Sequence, residues 1–131
     1  MAHFEDLVVW QEAKALTLAI YRIMREIRDY GFRDQIQRAS VSIMNNIAEG
    51  SDAGSDATNI RFLNIAKGSC SEVRSMLHLC HELGYCTKTQ QEELIGSTRK
   101  ISASIKNLIK YITNKNNTPS NTPSPQKTIN S

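Results

Sequence analysis

Apolar side chains recur every third or fourth residue in four successive stretches of this 131-residue chain, and each of the first three stretches runs out at a glycine. That period places the side chains on one face of an α-helix, whereas a half-buried strand needs strict alternation. The first stripe is Leu7, Trp10, Ala13, Leu16, Ile20, Ile23, Met24 and Ile27, and it predicts a helix near 5–30 with Gly31 as its C-terminal stop. Phe32, Ile36, Ala39, Ile43 and Ile47 predict a second helix near 32–50, which ends in the turn-forming cluster from Gly50 to Ser55.

Ser55 or Asp56 offers an N-cap to the third helix, near 56–83, whose stripe is Leu63, Ala66, Cys70, Val73, Leu77 and Cys80 and whose end is Gly84. Thr87 with Gln90, or Thr89 with Glu92, forms a capping box that opens a fourth helix near 88–114, with Leu94, Ile101, Ile105, Leu108 and Ile112 on its buried face. Short connections force neighbouring helices to run antiparallel. Residues 1–115 are thus expected to form an all-α, up-down-up-down four-helix bundle. Aromatic residues make up only 6% of the chain, which suits a core of Leu, Ile, Val, Ala and Met. Residues 116–131 hold three prolines and almost nothing apolar, and such a segment cannot offset the entropy of ordering; a disordered tail is expected there.

Helix three carries a second apolar row beside the first: Phe62, Ile65, Met76, Leu79 and Leu83, with Ser69 among them. This arc is wider than an exposed bundle helix needs. Burying part of it against another subunit, at ~25 cal/mol per Å², would favour association, so a homo-oligomer is expected.

No apolar run approaches the roughly 18 residues of a membrane span, and the segment from Met1 to Trp10 carries Glu5 and Asp6 where a secretion signal places bases. The expected location is the cytoplasm, with no membrane partner and with Cys70, Cys80 and Cys86 as reduced thiols. The net charge of +3 hides an asymmetry: residues 1–93 hold ten bases and thirteen acids, whereas residues 94–131 hold six bases and no acid.

The segments Phe4-x-x-Leu7-x-x-Trp10-x-x-Ala13, Gln35-Ile36-x-Arg38-Ala39-Ser40-Val41-Ser42-Ile43 and Asn46-Ile47-Ala48-Glu49-Gly50 resemble the bacterial four-helix-bundle proteins encoded by intervening sequences of 23S ribosomal RNA genes. So do Arg61-Phe62-Leu63-x-Ile65-Ala66-Lys67-Gly68-Ser69 and Gly84-Tyr85, and the likeness covers roughly residues 4 to 113. The resemblance implies an antiparallel four-helix bundle assembled as a ring-shaped homopentamer. It also implies kinship with the accessory proteins of diversity-generating retroelements, basic pentameric barrels that engage a reverse transcriptase and nucleic acid. After Gly50 the chain departs from that pattern. Ser51-Asp52-Ala53-Gly54 stands where a basic or aromatic residue is common, so this loop is not counted as a phosphate contact.

Arg99, Lys100, Lys106, Lys110 and Lys115 are the expected nucleic-acid-binding residues, for RNA or DNA. Cations near a helix C-terminus also complement its dipole, which accounts for Lys110 and Lys115 but not for Arg99 or Lys100, several turns away. On helix two, Arg38, Ser42, Asn45 and Glu49 form a polar row. With Asn46, Gly68 and Ser69 they are expected to make a structural network or an interface, paired with Lys67, Arg74 or a neighbouring subunit. Gly68 costs a helix interior ~1 kcal/mol relative to alanine, so the small side chains of Ala66, Gly68, Ser69 and Cys70 are expected to admit another backbone closely.

His78, His81, Cys80 and Cys86 lack the paired spacing of a zinc site, and neither a Gly-x-Ser-x-Gly elbow nor a Gly-rich phosphate loop occurs. Trp10 reads as core or oligomer packing. The chain is therefore expected to be a scaffold without catalytic residues, metal or cofactor. Its expected partners are further copies of itself, RNA or DNA, and a reverse transcriptase or another protein.

Overall fold

The computed structural model describes residues 3–117, with side chains through Lys115. A 3₁₀ turn at Phe4–Asp6 leads into four helices: α1 (Val8–Met24), α2 (Tyr30–Ser51), α3 (Asp56–Glu82) and α4 (Lys88–Asn117). They form the expected antiparallel four-helix bundle. α1 packs on α2 and α4, and α3 packs on α2 and α4, so α1/α3 and α2/α4 are the diagonals. At 1.5 Å per residue α1 is ~26 Å long and α4 ~45 Å, so α1 limits the length of both seams it makes, with α2 and with α4.

The core follows the sequence stripes. Leu16, Ile20, Met24, Ile36, Ile43, Ile47, Leu63, Leu77, Ile101 and Ile105 are each at most 2% exposed. Among the described residues four polar side chains join them, Ser40 among these, with its Oγ donating to Gln37 O at 2.9 Å. Thr17 Oγ1 donates to Ala13 O at 2.9 Å and to Ser40 O at 3.1 Å, crossing from α1 to α2. Thr98 Oγ1 donates to Ile95 O at 2.6 Å, and Gln91 Nε2 donates to Leu77 O at 3.1 Å and His78 O at 3.2 Å, crossing from α4 to α3. Each group enters the core with its hydrogen bond satisfied, which removes most of its desolvation cost.

Local chemistry sets the helix ends. Ser55 Oγ accepts from Thr58 N at 3.2 Å and starts α3. Thr87 Oγ1 accepts from Gln90 N at 3.1 Å while Gln90 Oε1 accepts from Thr87 N at 2.9 Å, a reciprocal capping box at the start of α4. α3 ends at Gly84, which adopts φ +78°, with Tyr85 N donating to Cys80 O and Gly84 N to His81 O, each at 2.9 Å.

One expected boundary moves. α1 ends at Met24, seven positions before the stop assigned to Gly31, and Gly31 lies inside the first turn of α2. The cause is Asp29: its Oδ1 accepts from Phe32 N at 3.2 Å and nucleates α2, so the chain leaves helical geometry before the glycine. The tail expected over 116–131 lies outside the described residues, except that Asn116 and Asn117 continue α4.

Candidate functional site

α4 carries all five basic residues singled out from the sequence, but the bundle disperses them to three places. Lys100 faces α1, where its Nζ meets Glu12 Oε2 at 3.1 Å. Lys115 faces the start of α3, its Nζ 3.4 Å from Asp56 Oδ2. Arg99 and Lys106, seven positions apart and therefore on one side of α4, line a groove of about 450 Å³ against α3. Lys110 falls on the same helical side and is exposed, beyond the lining of that groove.

The opposite wall comes from α3. Lys67 and Arg74, again seven positions apart, face Arg99 and Lys106, with Ser71, Ser102 and Ala103 between the cations. No carboxylate lines the groove, and none of the four cations belongs to an ion pair among the described residues. Arg74 is oriented by Ser71, whose Oγ lies 3.5 Å from its Nη2. The spacing along each helix is ~10.5 Å, beyond the ~8 Å Debye length at physiological salt. Mutual repulsion within each row is therefore screened, and the cluster stands without an acid of its own.

A neighbouring groove of about 400 Å³ continues the same seam towards the α3–α4 turn and shares Arg99. Its character differs, because Glu82 and Glu92 stand there among His78, His81 and Lys88. The purely basic lining therefore ends at Arg99. Lys67 and Arg74 escaped the sequence reading as binding residues because they were assigned as partners of the helix-two row; their seven-residue spacing, matching that of Arg99 and Lys106, was the available signal.

The polar row of helix two divides as well. Ser42 and Ser69 hydroxyls meet at 2.9 Å across the α2/α3 seam, and Asn46 Nδ2 donates to Ser42 O at 2.8 Å and Ser42 Oγ at 3.0 Å. Gln35 and Glu72 hydrogen-bond across the same seam. Arg38, Asn45 and Glu49 are exposed on the outer face of α2 instead, while Lys67 and Arg74 turn to α4, so the expected pairing between these groups does not form within the chain. The wheel positions explain it: α2 and α4 meet α3 on different sides of its buried stripe, and Lys67 and Arg74 fall on the α4 side.

A side chain at Gly68 would meet nothing within 4 Å among the described residues, so the partner backbone expected there is not supplied by the other three helices. The close approach occurs at Gly50, where a Cβ would stand 2.7 Å from Asn59 Oδ1, 3.1 Å from Asn59 O and 3.1 Å from Phe62 Cβ. The glycine that closes the Asn46-to-Gly50 motif is thus what lets the end of α2 lie against the start of α3.

No thiol is part of the basic lining. Burial pushes Cys70 up to about 11, against the opposing pull of Arg74, and its Sγ–H donates to Thr98 O at 3.1 Å. Burial and the adjacent Cys86 push Cys80 to about 12. Neither is a nucleophile at neutral pH. Among the described residues, no group of three His, Cys, Asp or Glu side chains converges as a metal site would require, and no helix is long and apolar enough to cross a membrane. Trp10 is half-buried and packs edge-on against Phe4 at 5.2 Å, with Lys14 Nζ 5.6 Å from its ring centre.

The fold has a close counterpart in a crystal structure from Bacteroides thetaiotaomicron, a protein of unknown function from the S23 ribosomal protein family. It superposes with a TM-score of 0.74 at 29% identity, over 79% of this chain and 99% of that one. Among curated proteins, none matches the chain in sequence. The family profile of the 23S rRNA-intervening sequence protein matches residues 5–107, a span that contains the basic groove and the apolar stripes of the helices except Leu108 and Ile112. On that match, the chain belongs to the 23S rRNA-intervening sequence protein family.

Proposed function

We propose that the chain is a non-catalytic, oligomeric scaffold that holds nucleic acid by its phosphates in the α3/α4 groove. The observation that carries this reading is the convergence of Lys67, Arg74, Arg99 and Lys106 on one groove without a carboxylate in its lining. Phosphate contacts position a partner without reading its sequence, and the lining offers the cations and hydroxyls that make such contacts. Lys100 and Lys115 are secondary, because Glu12 and Asp56 already neutralise them.

Support for self-association comes from Ile65 and Leu79 of α3 and Leu83 just past its end, each more than 40% exposed, together with the exposed polar groups Arg38, Asn45 and Glu49 of α2. An apolar row rimmed by polar groups suits a subunit interface. The resemblance to ring-forming relatives makes a homopentamer the assembly to test first. A ring would repeat the basic groove, so that several weak contacts act together. The same exposed row favours a second reading, a scaffold for another protein such as a reverse transcriptase, with no nucleic-acid role.

The test is an electrophoretic mobility shift with structured RNA and duplex DNA across a salt series, on protein whose mass has been measured by light scattering. The first reading expects a salt-sensitive shift by an oligomer, lost in Lys67→Glu/Lys106→Glu and largely kept in Lys115→Glu. An absent shift at low salt would leave the protein-scaffold reading.

A further inference from the structure

The charge layout of the α3/α4 groove bears on which form of nucleic acid it holds. We infer that the groove takes the phosphate rows of a double helix in preference to a single strand, an inference that rests on the nucleic-acid reading above.

The cations lie in two rows, Lys67 with Arg74 on α3 and Arg99 with Lys106 on α4. Each row spans two helical turns, ~10.5 Å, and packed helices stand ~8–10 Å apart. Four positive charges are therefore spread over an area about as wide as it is long, rather than along one line. The rest of the lining is Ser71, Ser102 and Ala103, with no aromatic ring.

That composition separates the two ligands. Single-stranded nucleic acid draws ~1–3 kcal/mol per base from stacking on aromatic side chains, in addition to its phosphate contacts. This groove supplies the phosphate contacts alone. A duplex keeps its bases stacked internally and carries one charge per ~1.7 Å of axis, so it releases more counterion per contact: the salt slope is ~0.9 per phosphate against ~0.7 for a single strand. On a surface of cations and hydroxyls, the denser polyanion binds more tightly.

The footprint is bounded as well. Beyond Arg99 the seam carries Glu82 and Glu92, which repel phosphate. Four cations limit each subunit to about four phosphates, a log–log salt slope of about −3 to −4 per engaged subunit. RNA and DNA duplexes present the same phosphate chemistry, and Ser71 and Ser102 are the groups placed to meet a 2′-hydroxyl.

The experiment is fluorescence anisotropy with the full chain, from roughly 50 to 200 mM salt. Three probes of equal phosphate number are compared: an RNA duplex, the DNA duplex of the same sequence, and an unstructured single strand. The expected result is that both duplexes bind several-fold more tightly than the single strand, and that Lys67→Glu/Lys106→Glu, shown folded by circular dichroism, loses the binding. Equal affinity for the two duplexes supports recognition through phosphate alone. An RNA preference that disappears in Ser71→Ala/Ser102→Ala supports RNA as the natural duplex. Single-strand binding as tight as duplex binding overturns this inference and leaves the nucleic-acid reading standing, whereas no binding to any probe overturns both.

Discussion

Tyr85 Oη donates a 2.7 Å hydrogen bond to Asp29 Oδ2, joining the α3–α4 turn to the α1–α2 connection across 56 residues of sequence. The other oxygen of the same carboxylate caps α2 through Phe32 N, and the Phe32 and Tyr85 rings meet edge-on at 5.4 Å. One side chain therefore starts a helix and fastens two connections together at one end of the bundle.

This clasp predicts an alkaline limit. The bond to Asp29 raises Tyr85 above its ordinary value of 10.0, and burial raises Cys70 and Cys80 from 9.0 to about 11 and about 12. In each case folding favours the protonated form. The stabilisation is complete below the unfolded-state value and is lost as pH rises through the folded-state value. Thermal unfolding followed by circular dichroism should show a flat melting temperature up to about pH 9 and a fall above it, shallower in Tyr85→Phe than in the parent. Parallel falls in the two proteins would remove Tyr85 from the account.

Asp29→Ala should destabilise the bundle by roughly 0.5–2 kcal/mol through loss of the α2 cap, while Asp29→Asn, which keeps an accepting oxygen, should lose less. Urea unfolding of both variants measures the difference. Equal losses would mean that the carboxylate charge, and not the cap, is what matters.

Two glycines should respond with opposite signs. Gly50→Ala drives a methyl group against Asn59 and Phe62 and must push α2 and α3 apart, at a cost of about 1–3 kcal/mol. Gly68→Ala meets nothing within 4 Å and should stabilise α3 by about 0.5–1 kcal/mol. If Gly68→Ala instead weakens an oligomer measured by light scattering while leaving monomer stability intact, the close approach belongs to a neighbouring subunit.

The thiols should separate by reactivity. Cys70 and Cys80 are buried and protonated at neutral pH, whereas Cys86 is half-exposed. Native iodoacetamide labelling, read by mass spectrometry, should modify Cys86 first and the other two only after denaturation.

The four helices and most of the core were legible because apolar periodicity is a local signal, and Ser55, Thr87 and Gln90 were legible because a cap acts within three residues of itself. Thr17, Gln91 and Thr98 were not, since a pattern that counts apolar residues passes over polar groups that enter the core by bonding carbonyls, across a seam for Thr17 and Gln91 and within α4 for Thr98. The end of α1 was misread because Gly31 and Asp29 stand two positions apart and carry competing signals: a C-terminal glycine acts by taking positive φ, which Gly31 does not, while the Asp29 carboxylate had an amide within reach.

Half of the basic groove was visible in the spacing of Arg99 and Lys106. The other half required knowing that α3, not α2, lies against that side of α4. Lys100 shows the limit of composition: one position from Arg99, it is turned ~100° round the helix and meets Glu12 instead.

The Ser42–Ser69 hydroxyl pair works like a vernier on α3. A seam of aliphatic side chains alone would tolerate sliding one helix past the other by a turn, ~5.4 Å, because one apolar knob can replace another. Such a slip would break the bond between the two half-buried hydroxyls, at about 0.5–1.5 kcal/mol for a typical hydrogen bond, and would carry Asn59 and Phe62 away from the notch at Gly50. The α3 helix is thus held at one axial setting from its α2 side, and that setting decides, on its α4 side, whether Lys67 and Arg74 stand level with Lys106 and Arg99.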